Sequence, residues 1–153
     1  MRSELATPEA TREFGRRLAA VLRPGDLVVL DGPLGAGKTV LAQGIGTGLG
    51  VRGEVTSPTF VIARVHPPDP ARGGRVPLVH VDAYRLGGVA DVDDLDLDAS
   101  LDDSVTVVEW GHGLAEDLSD DRLEIVLEAD PETERRTVVV TGHGDRWKDG
   151  VPC

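Results

Sequence analysis

The spacing of apolar residues near the start of the chain predicts an amphipathic helix. Between Thr7 and Pro24, apolar side chains recur with helical spacing, so that they share one face. This face consists of Phe14, Leu18, Val21 and Leu22. Thr7 suits the N-cap, and Pro8 suits the first helical position, because the N–H that proline lacks would have no partner there. We therefore expect a helix that begins at Pro8 and stops before Pro24.

Short apolar runs elsewhere predict strands, since a buried strand needs only about four to eight residues. The runs are residues 27–30, 60–65, 78–82, 105–109, 123–127 and 137–140. The last two predict a closing antiparallel hairpin, joined by the polar stretch 130–136. A second helix is expected over residues 39–49. Its glycines at 44, 46 and 48 weaken this prediction, because each costs about 1 kcal/mol against alanine in a helix interior.

The segments between these elements are polar and predict loops. Residues 66–75 contain three prolines and two glycines, which is typical of a mobile surface loop. Residues 91–103 are strongly acidic; we expect one or two short helical turns there, forming a solvated face or a docking surface for a basic partner. The polar stretch 142–153 is expected to be a frayed tail. With no internal repeat, residues 1–153 are predicted to form a single domain.

Composition and charge narrow the class of protein. Hydrophobic residues make up 40% of the 153 residues, enough for one folded core. No apolar run reaches the roughly 18 residues that cross a bilayer, and the first residues contain no signal-peptide core. The single cysteine, Cys153, excludes a disulfide framework. These features predict a cytoplasmic protein without a membrane partner.

The net charge and the aromatic content argue against a protein that binds nucleic acid by itself. The net charge is −11, whereas such proteins present a basic face to phosphate. Aromatic residues make up only 3% of the chain, too few for a base-stacking platform. Any contact with nucleic acid is therefore expected to be made by a partner protein.

Residues 32–39 match the phosphate-loop pattern G-x-x-x-x-G-K-[ST] at every fixed position. The glycines let the backbone wrap closely, so that its N–H groups point at phosphate oxygens, aided by the positive end of the next helix. Lys38 is expected to reach the β- and γ-phosphates, and the Thr39 hydroxyl to bind Mg²⁺. Because the loop stands between an apolar run and a helical segment, the motif predicts an α/β, P-loop NTPase fold with a central, mostly parallel sheet.

Two acidic residues end apolar strands. Asp82 closes the run 78–82 and Glu109 closes the run 105–109. In open α/β sheets, ligands bind just beyond the carboxyl ends of the strands, so both carboxylates are expected near the phosphate loop. Asp82 is a candidate Mg²⁺ ligand of Walker-B type. Glu109 is a candidate metal ligand, water-orienting group, or both, while alternation puts His80 on the same strand face as Asp82.

A hydroxyl between these motifs is a candidate sensor of the γ-phosphate. The segment T-S-P-T-F, residues 56–60, lies between the phosphate-loop helix and the strand that ends at Asp82. Many nucleotide switches keep such a segment there, which favours Thr59. A plain turn with a capping hydroxyl fits the sequence equally well.

Four strings, in this order and spacing, resemble the TsaE family of bacterial tRNA threonylcarbamoyladenosine biosynthesis ATPases. They are G-P-L-G-A-G-K-T, T-S-P-T-F, H-V-D-A-Y-R and V-E-W. The resemblance extends over nearly the whole chain and implies a small, Mg²⁺-dependent P-loop ATPase that works with the TsaD–TsaB transferase complex. That complex installs a threonylcarbamoyl group on adenosine 37 of tRNA. The ATPase does not perform the transfer; its nucleotide cycle is expected to reset the complex between turnovers.

The resemblance also implies roles for individual residues. The phosphates would be held by Leu34, Gly35, Ala36, Gly37, Lys38 and Thr39. Thr39 and Glu109 would bind Mg²⁺, and Asp82 would be the essential Walker-B-type acid. The catalytic set is then Lys38, Asp82 and Glu109.

The family pattern implies three further contacts with ATP. Trp110, next to Glu109, is expected close to the nucleotide. The helix start at Thr7 and Pro8 would approach the adenine, and a late turn at Arg135 would also contact nucleotide. The segment around Arg135 lacks the glycine that the family pattern has beside the arginine.

Other nucleotide-binding classes fit less well. Guanine specificity in Ras-like GTPases rests on N-K-x-D, and this chain contains no asparagine. A stand-alone nucleoside or nucleotide kinase would need an arginine-bearing lid, for which residues 67–75 are a poor candidate. A non-catalytic module that binds ATP and changes partners remains open alongside the ATPase.

Overall fold

The computed structural model describes residues 2–32, 37–51, 63–82, 103–109, 121–130, 132–133 and 135–150, with the backbone alone at 63, 64 and 82. These residues form one seven-stranded sheet in the order β1-β7-β6-β2-β5-β4-β3. The strands are β1 (Arg2–Leu5), β2 (Leu27–Asp31), β3 (Ala63–His66), β4 (Leu78–Asp82), β5 (Val105–Glu109), β6 (Arg122–Ala129) and β7 (Arg136–His143). The helices are α1 (Pro8–Ala19) and α2 (Lys38–Leu49), with single 3₁₀ turns at Pro70–Arg72 and Asp145–Trp147.

The centre of the sheet is parallel and its outer strands are antiparallel. β2 pairs in parallel with β5 and β6, and β4 pairs in parallel with β5. The hairpin β6–β7 and the outer strands β1 and β3 add antiparallel pairs. This arrangement confirms the predicted α/β fold with a parallel core and an antiparallel C-terminal hairpin. It puts the phosphate-loop strand β2 between β5 and β6, where its first four residues are buried.

The helices α1 and α2 pack directly against each other because α2 carries glycines at the contact. A Cβ atom added at Gly48 would lie 2.7 Å from the Arg16 carbonyl oxygen, and one added at Gly44 would collide with the Arg12 carbonyl. From the other side, a Cβ at Gly15 would lie 2.5 Å from the Leu41 carbonyl oxygen. The glycines that lower the helix propensity of α2 therefore serve its packing, and the predicted helix forms.

The predicted start of α1 is confirmed and its predicted end is not. Thr7 is the N-cap, and its hydroxyl accepts a hydrogen bond from the Ala10 N–H at 3.1 Å. The helix ends at Ala19 rather than near Pro24. Val21 and Leu22 continue it as a tighter turn, since their N–H groups donate to carbonyls three residues earlier, at 3.0 and 3.2 Å. Apolar spacing alone does not distinguish this turn from the helix.

One strand was missed and one loop is held more firmly than its composition suggests. β1 is a four-residue outer strand in which only Leu5 is buried, so its sequence shows no strand pattern. Residues 66–75, predicted to be a mobile loop, are hydrogen-bonded to the end of α2. The Asp69 N–H donates to the Gly50 carbonyl at 2.8 Å, and the Arg72 guanidinium donates to the Val51 carbonyl at 3.2 Å.

The predicted frayed tail is wrong for residues 142–150. Trp147 is 4% exposed and belongs to the core. The Arg146 guanidinium donates to both carboxylate oxygens of Asp26, at 3.1 and 3.2 Å, and to the Val21 carbonyl at 2.8 Å. One aromatic side chain and one guanidinium therefore anchor a segment that is otherwise polar.

Neither described helix combines the length and the apolar composition that crossing a membrane requires.

Candidate functional site

The phosphate loop leaves β2 and enters α2 through two glycines with positive φ. Gly32 has φ +147° and Gly37 has φ +102°, values that side-chain-bearing residues rarely adopt. A Cβ at Gly32 would also collide with the Leu127 carbonyl of β6. Both fixed glycines of the motif are therefore required by backbone geometry. Three of the predicted phosphate-binding residues, Leu34, Gly35 and Ala36, lie outside the described residues.

Lys38, the first residue of α2, turns back toward the start of the loop. Its side chain is buried, and Nζ donates a hydrogen bond to the Gly32 carbonyl at 2.7 Å. This bond holds the ammonium group within the loop rather than in solvent. A positive charge in this position complements the phosphates that the backbone N–H groups of a phosphate loop bind.

Glu109 and Thr39 meet beyond the carboxyl end of the sheet. β5 lies beside β2, with Glu109 in register with Leu30, so its carboxylate reaches the first turn of α2. The Thr39 hydroxyl faces Glu109 Oε1 at 3.4 Å. Adjacent oxygen ligands of an octahedral Mg²⁺ ion, each about 2.1 Å from the metal, lie about 3 Å apart. The hydroxyl and the carboxylate therefore fit two neighbouring ligands of one Mg²⁺ ion.

The described residues contain no cluster of three or more His, Cys, Asp or Glu side chains that could hold a metal without other ligands. Mg²⁺ usually keeps several waters and is bound by one or two carboxylates together with substrate phosphates. The Thr39 hydroxyl and the Glu109 carboxylate are oxygen donors, the kind of ligand that Mg²⁺ prefers.

The second oxygen of Glu109 contacts a buried histidine. His80 Nε2 lies 2.6 Å from Glu109 Oε2, and both side chains are almost completely buried. The two residues stand on neighbouring parallel strands, with His80 in register with Val107. The alternation of β4 predicted that His80 and Asp82 share a strand face. It gave no sign that His80 would contact Glu109.

Asp82 ends β4 in register with Glu109, so both predicted acids lie at the same edge of the sheet. Its strand is separated from β2 by β5. Glu109, not Asp82, is therefore the acid on the strand next to the phosphate-loop strand. The structure describes the backbone of Asp82 but not its side chain, so its role in metal binding stays a prediction. Thr59 and Trp110 lie outside the described residues, and their roles also stay predictions.

A pocket of about 390 Å³ opens beside the phosphate loop. It lies between the start of α1, the start of α2 and the β6–β7 hairpin, and is lined by Ala6, Thr7, Pro8, Glu9, Thr11, Gly37, Val40, Thr133 and Arg136. The predicted contact residues Thr7 and Pro8 thus stand beside Gly37 of the loop. Sequence reasoning missed Thr133 and Arg136, because no local pattern links the hairpin to the beginning of the chain.

Asp130 shapes the hairpin loop that lines this pocket. Its carboxylate accepts hydrogen bonds from the backbone N–H groups of Glu132, at 2.8 Å, and of Thr133, at 3.4 Å. The bond from Glu132, above all, lowers the pKa of the Asp130 carboxyl from its ordinary value. Arg135, predicted to contact nucleotide, extends toward Glu4 at 3.8 Å, and its neighbour Arg136 lines the pocket.

Comparison with known proteins identifies one family along most of the chain. The model of the family described as "Threonylcarbamoyl adenosine biosynthesis protein TsaE" matches residues 5–138. A protein from Streptomyces coelicolor named tRNA threonylcarbamoyladenosine biosynthesis protein TsaE is 62% identical over 140 residues, 89% of this chain and 93% of the relative.

More distant proteins with the same name extend the similarity. The Mycobacterium tuberculosis H37Rv protein is 53% identical over 126 residues, 78% of this chain and 74% of its own. The Bacillus subtilis protein is 37% identical over 142 residues, 92% of this chain and 85% of its own. Among solved structures, the crystal structure of Bacillus subtilis YdiB matches with a TM-score of 0.73 and 32% identity, over 95% of this chain and 87% of YdiB.

Proposed function

The chain belongs to the TsaE family, and on this premise we propose that it is an ATP-binding and ATP-hydrolysing subunit of the tRNA threonylcarbamoyladenosine machinery. One observation carries the nucleotide part of this proposal: Thr39 and Glu109 meet at the end of the sheet, directly after a phosphate loop. The tRNA part rests on the names of the relatives, which cover most of the chain.

In this proposal the phosphate loop binds the triphosphate. Lys38 exchanges its hydrogen bond with the Gly32 carbonyl for bonds to the β- and γ-phosphates, so a buried ammonium group already in the loop gains anionic partners. The positive end of α2 adds to the attraction. The ammonium group of Lys38 then needs to move little when the nucleotide binds.

Thr39 and Glu109 hold Mg²⁺ in the same proposal. Held there, Mg²⁺ would supply positive charge that offsets the negative charge of the phosphate oxygens when the γ-phosphoryl group is transferred to water. Glu109 contributes a carboxylate that is ready in position, because Oε1 already faces the Thr39 hydroxyl. Asp82, in register with Glu109 at the next strand end, supplies a second acid for the metal or the attacking water.

The pocket beside the loop takes the nucleoside. Its volume of about 390 Å³ lies in the range of small-molecule sites, and it adjoins Gly37, where the phosphates would end. Thr7, Pro8 and Val40 offer a mixed apolar and polar wall for a flat base, while Arg136 stands at the hairpin side. Proposed nucleotide contacts therefore come from both ends of the chain.

The chain works with TsaD- and TsaB-type proteins in this proposal, and reaches tRNA through them. A net charge of −11 disfavours direct binding to the phosphate backbone of tRNA. The nucleotide cycle would reset the transferase complex between turnovers. Turnover by the isolated chain is then expected to be slow, because partners commonly complete or order such sites.

The test is phosphate release from Mg-ATP by the chain alone, and with TsaD- and TsaB-type proteins and tRNA. We expect slow turnover that rises when the complex is added. Glu109→Gln should reduce turnover, whereas the control Glu124→Gln on β6, whose carboxylate pairs with Arg122 at 3.0 Å, should not. ATP binding without any turnover would favour a nucleotide-gated switch, and a chain that binds no ATP would overturn the proposal.

A further inference from the structure

The proposed role of Glu109 requires it to be ionised although it is buried. These two conditions are compatible only if another residue stabilises the carboxylate. As a Mg²⁺ ligand it must be ionised, yet the residue is only 3% exposed. A carboxylate shielded from water is unfavourable unless hydrogen-bond donors replace the lost solvent. Thr39 supplies one hydroxyl at 3.4 Å to Oε1, a long contact that leaves Oε2 to be satisfied by another group.

His80 is that group. Its Nε2 lies 2.6 Å from Glu109 Oε2. With Glu109 ionised, as Mg²⁺ binding requires, Oε2 can only accept a hydrogen bond, and the partner that donates it is Nε2–H of His80. The carboxylate is then held at both ends, with Oε2 directed toward β4 and Oε1 directed toward α2.

His80 occupies a fully buried position in the sheet. Val107, in register with it on β5, is fully buried as well. Within the described part of the chain, the other ring nitrogen, Nδ1, has no hydrogen-bond partner. Burying an unsatisfied ring nitrogen is unfavourable, and a valine or leucine would avoid it. The contact with Glu109 is the one polar interaction described that offsets this.

We propose that His80 is a positioning residue: its Nε2–H holds Glu109 in the orientation that presents Oε1 and the Thr39 hydroxyl together to Mg²⁺. This inference rests on the proposed nucleotide function. It gives His80, the histidine of the H-x-D sequence on β4, a role that is exerted through Glu109 on the neighbouring strand β5. Hydrogen-bond partners of metal-binding carboxylates typically change metal affinity or activity by about 10- to 100-fold when removed.

Two amide substitutions distinguish a role of His80 in positioning Glu109 from a role in packing the core. His80→Gln keeps an N–H donor at a reach close to that of Nε2, whereas the shorter side chain of His80→Asn cannot reach Glu109 from β4. Both are neutral and polar, so they differ chiefly in contact with Oε2. The matched control is His143→Asn, because His143 Nε2 lies 3.1 Å from Glu124 Oε2 on the β6–β7 hairpin, a second His–Glu pair away from the site.

The measurement is the affinity for a non-hydrolysable ATP analogue, in EDTA and at increasing free Mg²⁺. His80→Asn should raise the Mg²⁺ concentration of half-maximal effect by about 10- to 100-fold while leaving the affinity in EDTA within about twofold. His80→Gln should restore most of the Mg²⁺ response, and His143→Asn should match the wild type. A wild-type Mg²⁺ response in His80→Asn would overturn the inference, as would equal losses with and without Mg²⁺.

The wild-type chain gives a second test that does not depend on whether a variant folds. The Nε2–H proton of His80 should give a downfield nuclear magnetic resonance signal, which we expect to shift when Mg²⁺ is added to the nucleotide-bound chain. A signal that nucleotide and Mg²⁺ leave unchanged would contradict a positioning role. If the wild-type chain shows no Mg²⁺-dependent nucleotide binding, the proposed function fails first and this inference with it.

Discussion

Lys38 and Lys148 are the two lysines of the chain, and they lie in opposite environments. Lys38 is 5% exposed and bonded to the phosphate loop, whereas Lys148 is exposed near the C-terminus. A lysine ammonium is strongly hydrated, so its burial is unfavourable without polar partners. The hydrogen bond to the Gly32 carbonyl gives the buried ammonium group of Lys38 a polar partner.

Lys38→Ala should weaken ATP binding by about 10- to 100-fold, since a charge-assisted hydrogen bond is worth about 1.5–3 kcal/mol. The control is Lys148→Ala, which removes the same charge from an exposed position and should leave ATP affinity unchanged. Calorimetric titration with ATP measures both variants. Equal affinities for wild type and Lys38→Ala would remove the phosphate-loop interpretation.

At the scale of elements, the contact between α1 and α2 determines where the pocket can form. The pocket takes its walls from the first turns of both helices, including Thr11 and Val40. The close approach at Gly44 and Gly48 sets how far apart those turns lie. If alanines replaced these glycines, α2 would have a higher helix propensity but would pack less well against α1.

Gly44→Ala should therefore destabilise the protein. Alanine gains about 1 kcal/mol of helix propensity, but its Cβ would collide with the Arg12 carbonyl, a backbone atom that moves only with α1. Overpacking of this kind costs about 1–3 kcal/mol, and here at the upper end because backbone must shift, so a net loss of about 1–2 kcal/mol is expected.

Urea unfolding measures this change. Thr47→Ala, on the exposed side of α2, gains propensity without a collision and should change the free energy of unfolding by less than about 0.5 kcal/mol. An increase in stability for Gly44→Ala would show that α1 and α2 have room to separate.

Over the whole molecule, the last described residues are tied back to the first half of the chain. Arg146 bonds to Asp26, in the turn between α1 and β2, and its guanidinium lies 3.9 Å from the centre of the Trp147 ring. Asp26 is 5% exposed and also accepts from the Arg23 N–H at 2.8 Å. The C-terminal turn therefore completes the support of the strand that leads to the phosphate loop.

Arg146→Ala should lower the free energy of unfolding by about 2–4 kcal/mol, because it leaves the Asp26 carboxylate buried without its charged partner. Arg135→Ala is the control, since its pair with Glu4 is exposed and 3.8 Å long and should contribute less than about 1 kcal/mol. Thermal and urea unfolding without nucleotide measure both. Similar small losses in the two variants would mean that the C-terminal turn is dispensable.

By itself the sequence determined the elements whose signal is local. β4 and β5 have the predicted bounds, because five successive residues contain the whole pattern. The start of α1 follows from Thr7 and Pro8. The strand before the phosphate loop and the helix after it follow from the phosphate-loop motif. The family resemblance, carried by short strings in fixed order, is confirmed by the family model and the relatives.

Only the tertiary structure decided which distant residues meet. His80 and Glu109 are 29 residues apart and touch because β4 lies beside β5. Arg146 and Asp26 are 120 residues apart, and their contact turns an apparently polar tail into packed structure. Thr133 and Arg136 join Thr7 and Pro8 around one pocket. Strand order and register set these contacts, and both depend on the packing of the whole sheet, which no local pattern of apolar and polar residues records.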